Sequence, residues 1–221
     1  MLPLYPRVPH FLDSNAAPDD LVMTPAEQAG LLRAEVCVFE KLDGINAALG
    51  LHRGRLVCEL RPPWDRALDG AVARALHIYT RQREARLTAL LSGGVIAYGE
   101  WLWHRVSVSY RALPELLVIF GLRAADGRFL SPTKLQRTCA QVGLVGARPI
   151  YRGRLERAAQ LGRLASSSRC GAAHAEGLVV ERTRRGAGVS CAKWVGAHYR
   201  HVRPGALSGA RNQLARSHPA R

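Results

Sequence analysis

The stretch Val36-Cys37-Val38-Phe39-Glu40-Lys41-Leu42-Asp43-Gly44-Ile45-Asn46 decides how the chain is read. The apolar run Val36 to Phe39 predicts a buried strand, Gly44 a flexible turn, and Ala47 to Leu51 a second strand. A lysine is thereby presented at a strand end, flanked by two carboxylates and a following amide. The composition makes this lysine conspicuous, because the chain has 3 lysines (Lys41, Lys134, Lys193) against 29 arginines. Most surface roles of lysine pass to arginine, and here nearly all of them have. An amine that must lose its proton and attack cannot be replaced this way, since guanidinium stays protonated at physiological pH. Lys41 is therefore a candidate nucleophile.

A lysine that attacks a nucleotide α-phosphate needs partners of defined chemistry. It needs carboxylates to place a divalent metal, cations to take up charge on the phosphates, and an aromatic surface for the base. Glu100 in Val95–Leu102, Glu176 before Gly177, Lys193 between Ala192 and Trp194, and Phe120 in Leu116–Leu122 supply these types on predicted strands. Gly99 and Gly177 beside the two glutamates are expected to let a ligand approach the backbone.

These residues carry a resemblance. Glu40-Lys41-x-Asp43-Gly44-x-Asn46 resembles the first motif of the covalent nucleotidyltransferases, the ATP-dependent DNA and RNA ligases and mRNA capping enzymes. Its Glu-Lys opening and Asn46 are more similar to the RNA-ligase branch. Tyr98-Gly99-Glu100 resembles the third motif, Phe120 the base-stacking aromatic, Glu176-Gly177-Leu178-Val179 the fourth motif and Ala192-Lys193-Trp194-Val195 the fifth. Arg61 is similar to the arginine after the first motif, with Arg55 as its rival. Tyr5-Pro6-Arg7-x-x-His10 resembles the N-terminal segment of small bacterial RNA-ligase-like proteins.

The resemblance implies an α+β nucleotidyltransferase (adenylation-domain) fold and an ATP-dependent RNA or polynucleotide ligase. Lys41 would form lysyl-AMP from ATP, with Mg²⁺ or Mn²⁺ placed by Glu176 and Asp43. Glu40, Asn46, Arg61, Glu100, Phe120 and Lys193 would bind the nucleotide: Glu40 near adenine, Glu100 at the ribose, Lys193 at the α-phosphate. AMP would pass to a 5′-phosphate end and a 3′-hydroxyl would displace it. The partner implied is RNA or another polynucleotide with those ends, and an end-healing kinase or phosphatase would work alongside. Two positions depart from the family pattern: Cys191 stands where a basic residue is frequent, and Gly121 where aspartate usually follows the aromatic. They keep open a weakened nucleotidyltransferase that serves as a nucleic-acid-binding protein. A capping-type guanylyltransferase using GTP is the other alternative.

The whole chain is consistent with this reading. Its 221 residues suit one domain, expected over residues 1–197, with 198–221 as a basic, loosely ordered tail. Only 26 residues follow Val195, too few for an OB fold, so a stand-alone catalytic domain is expected. A net charge of +15 points to a polyanionic partner, and nine of the basic residues follow Glu181, after which no acidic residue occurs. The 5 cysteines are scattered without C-x-x-C spacing, which suggests neither zinc nor a disulfide framework. With no signal-like N-terminus and no membrane-length apolar run, a reduced, cytoplasmic protein is expected.

The remaining punctuation predicts hairpins with helices between them, hence largely antiparallel sheets. Asp19-Asp20 or Thr24-Pro25 starts a helix. A hairpin over Leu49–Leu60 turns at His52-Arg53-Gly54-Arg55 and ends at Arg61-Pro62-Pro63. One long amphipathic helix is expected over Leu68–Leu91, another from Pro132 to Gly143, and a short one over Leu155–Leu164. A flexible loop is expected over Ser166–Gly171, then the final strands Gly177–Arg182 and Val189–Val195, joined by Arg184-Arg185-Gly186-Ala187-Gly188.

Overall fold

The structure is a computed structural model that describes residues 1–62, 64–183, 190–200, 202 and 207–215. The expected turn Arg184 to Gly188, Val189 at the start of the last strand, Pro63, and parts of the tail lie outside the described residues.

Strands β1 (Val36–Lys41) and β2 (Ile45–His52) flank the lysine motif as expected, yet they do not pair with each other. β1 is an inner strand of one sheet, with β6 (Pro149–Gly153) on one side and β7 (Gly177–Arg182), then β8 (Cys191–Val195), on the other. β2 is an inner strand of a second sheet, between β3 (Arg55–Leu60) and β4 (Ile96–Trp101), with β5 (Leu117–Arg123) beyond. Every pairing between these strands is antiparallel. The segment Leu42-Asp43-Gly44 therefore carries the chain from one sheet to the other. Gly44 is needed there for closeness rather than flexibility: a Cβ would stand 2.7 Å from the Trp101 carbonyl oxygen and from Leu102 Cδ2.

Strand alternation gives each sheet one face for a core and one for the site. On the second sheet Ile45, Ala47, Leu49, Ala97, Trp101, Leu117 and Ile119 pack against helices α2 (Ala71–Arg81), α3 (Glu84–Leu91) and α4 (Pro132–Gln141). On the first, Val36, Val38, Leu178 and Val180 pack with α1 (Pro25–Leu32) and α5 (Ala159–Leu164). Thr24, not Asp19-Asp20, starts α1, through a full capping box with Glu27. The β2–β3 hairpin turns where expected, with Arg53 and Gly54 both at positive φ (50° and 75°), the two-residue turn that suits strand twist.

Several expectations change. The long helix over 68–91 is broken between α2 and α3, where Arg83 leaves helical backbone and turns its guanidinium to Glu115 at 3.2 Å, over the Tyr79 ring. Periodicity alone does not register such a tertiary pull. β6 was not expected, because a five-residue edge strand opening on proline reads as a connection; its register shifts between Val38 and Phe39, where Pro149 enters. α5 begins at Ala159 rather than Leu155. Within the stretch expected to be loose, residues 207–215 return to the body: Asn212 is buried, accepts the Tyr110 N–H, and donates to the Leu102 and His104 carbonyls. Among the described residues no helix is long and apolar enough to cross a membrane.

Gly177 serves strand packing rather than ligand approach, since a Cβ there would lie 2.1 Å from the Trp194 carbonyl oxygen. Gly99 likewise abuts Leu117 and the Val118 carbonyl. Gly177→Ala is expected to separate β7 from β8 and to cost about 1–3 kcal/mol or more. A urea midpoint unchanged from the parent would contradict this account.

Candidate active site

The two site faces look at one another across a cavity of about 460 Å³. From the second sheet, antiparallel register sets Asn46, Glu100 and Val118 in one row, with Phe120 the next residue on the same face. From the first, Phe39, Val179 and Lys193 form a row, and Cys37, Glu181 and Cys191 the next. Lys41 closes the strand-end side, paired across from Gly177. Glu40, Lys41, Asn46, Arg61, Glu100, Phe120 and Lys193 all line the cavity, whereas Arg55 sits exposed at the hairpin turn.

Lys41 Nζ donates to Glu176 Oε1 at 2.5 Å; the lysine side chain is 27% exposed and the glutamate 3%. Burial pushes the Lys41 amine down, but the carboxylates of Glu176, Glu100 and Asp43 outweigh it and leave the amine more basic than usual. The carboxyls respond oppositely. Burial raises Glu100 to about 8, against the pull of Lys41, and raises Glu176 to about 7 for the same reason. Asn46 Nδ2 donates to Glu100 Oε2 at 3.0 Å. Burial lowers the Lys193 amine, and Asp20 accepts from it at 3.1 Å. Glu40 is clamped by the Ser168 hydroxyl at 2.5 Å and the Arg169 N–H at 2.7 Å, so part of the loop expected to be flexible holds a site residue.

The metal sites expected at Glu176 and Asp43 fare differently. Glu176 Oε2 is buried with no hydrogen-bond partner, and the charge of its carboxyl helps to raise Glu100. Among the described residues no cluster of three or more His, Cys, Asp or Glu could hold a metal by itself. The fit is to a hard cation that takes one or two carboxylates and completes its shell from phosphates and water. Asp43, by contrast, already has protein donors on both oxygens. Oδ2 accepts the Ser107 N–H and hydroxyl at 2.7 Å and the Val108 N–H at 2.6 Å; Oδ1 accepts the Tyr199 hydroxyl at 2.9 Å. Its own N–H donates to Tyr110 Oη at 2.7 Å. Asp43 fixes the crossover to the 107–110 loop.

A family model for RNA ligases matches residues 34–195. The chain belongs to the RNA ligase family. That match runs from just before β1 to the end of β8 and contains each of the residues above except Asp20 and Tyr199. No curated protein matches the chain in sequence. Among solved structures, an apo point variant of the Naegleria gruberi RNA ligase is similar with a TM-score of 0.57 at 16% identity, covering 87% of this chain and 57% of that one. Another variant of that ligase, with ATP and Mn, gives 0.54 at 16% identity, covering 88% and 61%. An archaeal ATP-dependent RNA ligase gives 0.51 at 18% identity, covering 88% and 48%. At such identities the likeness is one of fold, and the chain spans about half to three fifths of the length of these family structures.

Sequence reading missed Asp20, expected only as a helix start, and the Ser107–Tyr110 and Tyr199 partners of Asp43. None has a local signal, because each reaches the site through a loop. Two outcomes follow. Asp43→Asn should lower the melting temperature while leaving the metal concentration for half-maximal activity within about twofold, as a carboxylate filled by protein donors predicts. For Glu100, whose folded-state value near 8 lies above its ordinary 4.5, the folded state keeps a proton that the unfolded chain gives up. Its stabilising contribution is full below the ordinary value and is lost as pH rises through the folded one. The ligand-free protein should therefore lose stability between about pH 5 and about pH 8, and Glu100→Gln should flatten that slope in thermal melts.

Proposed function

We propose that the protein is an ATP-dependent RNA ligase that works through lysyl-AMP on a nucleotidyltransferase fold. The observation that carries this reading is the 2.5 Å contact between Lys41 Nζ, in the lining of a nucleotide-sized cavity, and Oε1 of the buried Glu176. Family membership and the fold shared with ATP- and Mn-bound RNA ligases support it. Lys41 is stored protonated and must be freed to attack. Glu176 Oε1 holds the ammonium, and when that carboxylate turns to a cation its pull on Lys41 would weaken and the proton would pass to water. Glu176 Oε2 and Glu100 would hold Mg²⁺ or Mn²⁺ together with the triphosphate. The bound cation supplies charge neutralisation on the phosphates.

Lys41 Nζ then forms a bond to the α-phosphorus as the α–β phosphoanhydride bond breaks and pyrophosphate leaves. Lys193 faces the developing charge, Phe120 the base, and Asn46 orients Glu100. In the second step a 5′-phosphate oxygen displaces Lys41 and takes AMP. In the third a 3′-hydroxyl attacks that phosphate and AMP departs. Residues 1–197 would form the catalytic domain, and the arginine-rich surface would hold RNA with affinity that falls as salt rises. All five cysteines are free thiols, which supports a reducing, cytoplasmic setting. An end-healing kinase or phosphatase would supply the 5′-phosphate and 3′-hydroxyl ends.

The test is labelling with α-³²P-ATP and Mg²⁺ or Mn²⁺ after pyrophosphate treatment, beside Lys41→Ala. Label that survives denaturing electrophoresis and disappears in the variant is the expected result. Label from GTP alone would move the protein to capping-type transfer. Absence of label with either nucleotide would leave the binding-protein alternative.

A further inference from the structure

The two departures from the family pattern, Gly121 and Cys191, both border the N-terminal segment. Tyr5, Pro6, Arg7 and Val8 line the same cavity as Lys41, Phe120 and Lys193. The segment is tied to both sheets. On the first, the Lys193 N–H donates to the Pro9 carbonyl at 2.8 Å and the Phe11 N–H to the Lys193 carbonyl at 2.9 Å. On the second, Arg61 donates to the Tyr5 carbonyl at 3.4 Å and the Leu2 N–H to Glu59 Oε2 at 3.0 Å. It thus bridges the open side of the cleft.

Its side chains meet the departures. The Tyr5 ring stands edge-on to Phe120, centroids 5.0 Å apart with planes at 89°, and also touches Tyr98 and Phe129 at 5.2 and 5.4 Å. A Cβ on Gly121 would lie 3.0 Å from Tyr5 Cε2, so an aspartate there would compete with the tyrosine ring for its place. Along β8, the parallel bridge of His10 with Lys193 sets Val8 in register with Cys191, and Arg7 enters the cavity next to it. The Arg7 guanidinium is held by the Asp19 carbonyl, beside the Asp20 that occupies Lys193.

We propose that Tyr5-Pro6-Arg7 is a working part of the nucleotide site. Tyr5 is a positioning residue that backs the Phe120 ring in the space Gly121 leaves, and Arg7 supplies the phosphate-binding cation that β8 lacks at Cys191. This rests on the nucleotide-transfer reading of the same cavity. The departures are then adaptations to the segment, not losses. Asp20 holds Lys193 until phosphate oxygens replace its carboxylate.

The test is calorimetric titration of the full, pyrophosphate-treated chain with α,β-methylene-ATP, which cannot be cleaved at the α–β bond, and with adenosine. Tyr5→Ala should weaken both ligands about tenfold, and Tyr5→Phe by no more than about twofold. Arg7→Ala should weaken the ATP analogue about tenfold or more and adenosine less than about twofold, with Arg7→Lys recovering part. Gly121→Asp should match Tyr5→Ala, and the double variant should lose no more than either alone. Wild-type affinity in both alanine variants would reduce the segment to a strap, and equal loss of both ligands in Arg7→Ala would overturn its phosphate role. Binding that depends on Tyr5 and Arg7 in a protein that takes no label from ATP would sustain this inference while removing the ligase reading.

Discussion

An ammonium group held against a buried carboxylate at 2.5 Å is the contact on which this molecule depends. Lys41 ends β1 and Glu176 precedes β7, so the pair forms only if those strands lie side by side in register, as they do. Glu100 approaches from the other sheet and adds its charge to the same point. Three carboxyl groups surround one partly buried amine; burial raises Glu100 and Glu176 towards neutrality, and Lys41 opposes that rise. In the proposed reaction a cationic metal and a polyanionic substrate would re-partition this cluster. Glu176 embodies this, with one oxygen spent on Lys41 and the other left without a partner.

The crossover between the sheets makes the cluster possible. Leu42-Asp43-Gly44 must turn within three residues from the first sheet into the second. Gly44 permits the close approach to β4, while Asp43 spends both oxygens on the 107–110 loop and Tyr199. A carboxylate with four donors is a rigid fixture. Its rigidity fixes Lys41 on one side and Asn46 on the other, so the most motif-like residues of the chain divide between chemistry and scaffolding. The far faces of the sheets, packed on helices, keep the two site faces opposed.

Closure of the cleft comes from segments outside the sheets. The N-terminal strand-like segment bridges β8 and the β2–β3 hairpin, the Ser168–Arg169 loop clamps Glu40, and Asn212 pins residues 207–215 beneath the Tyr110 loop. Each satisfies polar groups that would otherwise be buried without partners. They also set the chemistry of the walls: a tyrosine edge against Phe120, an arginine and two aspartates near Lys193.

Much of the site was legible in the chain itself. The apolar runs already placed Glu100, Phe120 and Lys193 on strands, and the retention of lysine at position 41 against 29 arginines singled out a candidate nucleophile. Those features are local: they depend on neighbours one or two residues away and on the irreplaceable chemistry of an amine. A carboxylate in a motif looks the same whether its oxygens face a metal or protein donors, and at Asp43 the donors come from a loop 64 to 65 residues downstream. The break at Arg83, the edge strand at Pro149 and the return of Asn212 share that origin, since each is won by a partner distant in sequence. Sequence by itself determined the antiparallel α+β class and the candidate residues for the site. The tertiary structure decided which sheet each strand joins, which carboxylate keeps a free oxygen, and which segments wall the cavity, because those outcomes depend on burial and long-range hydrogen bonding.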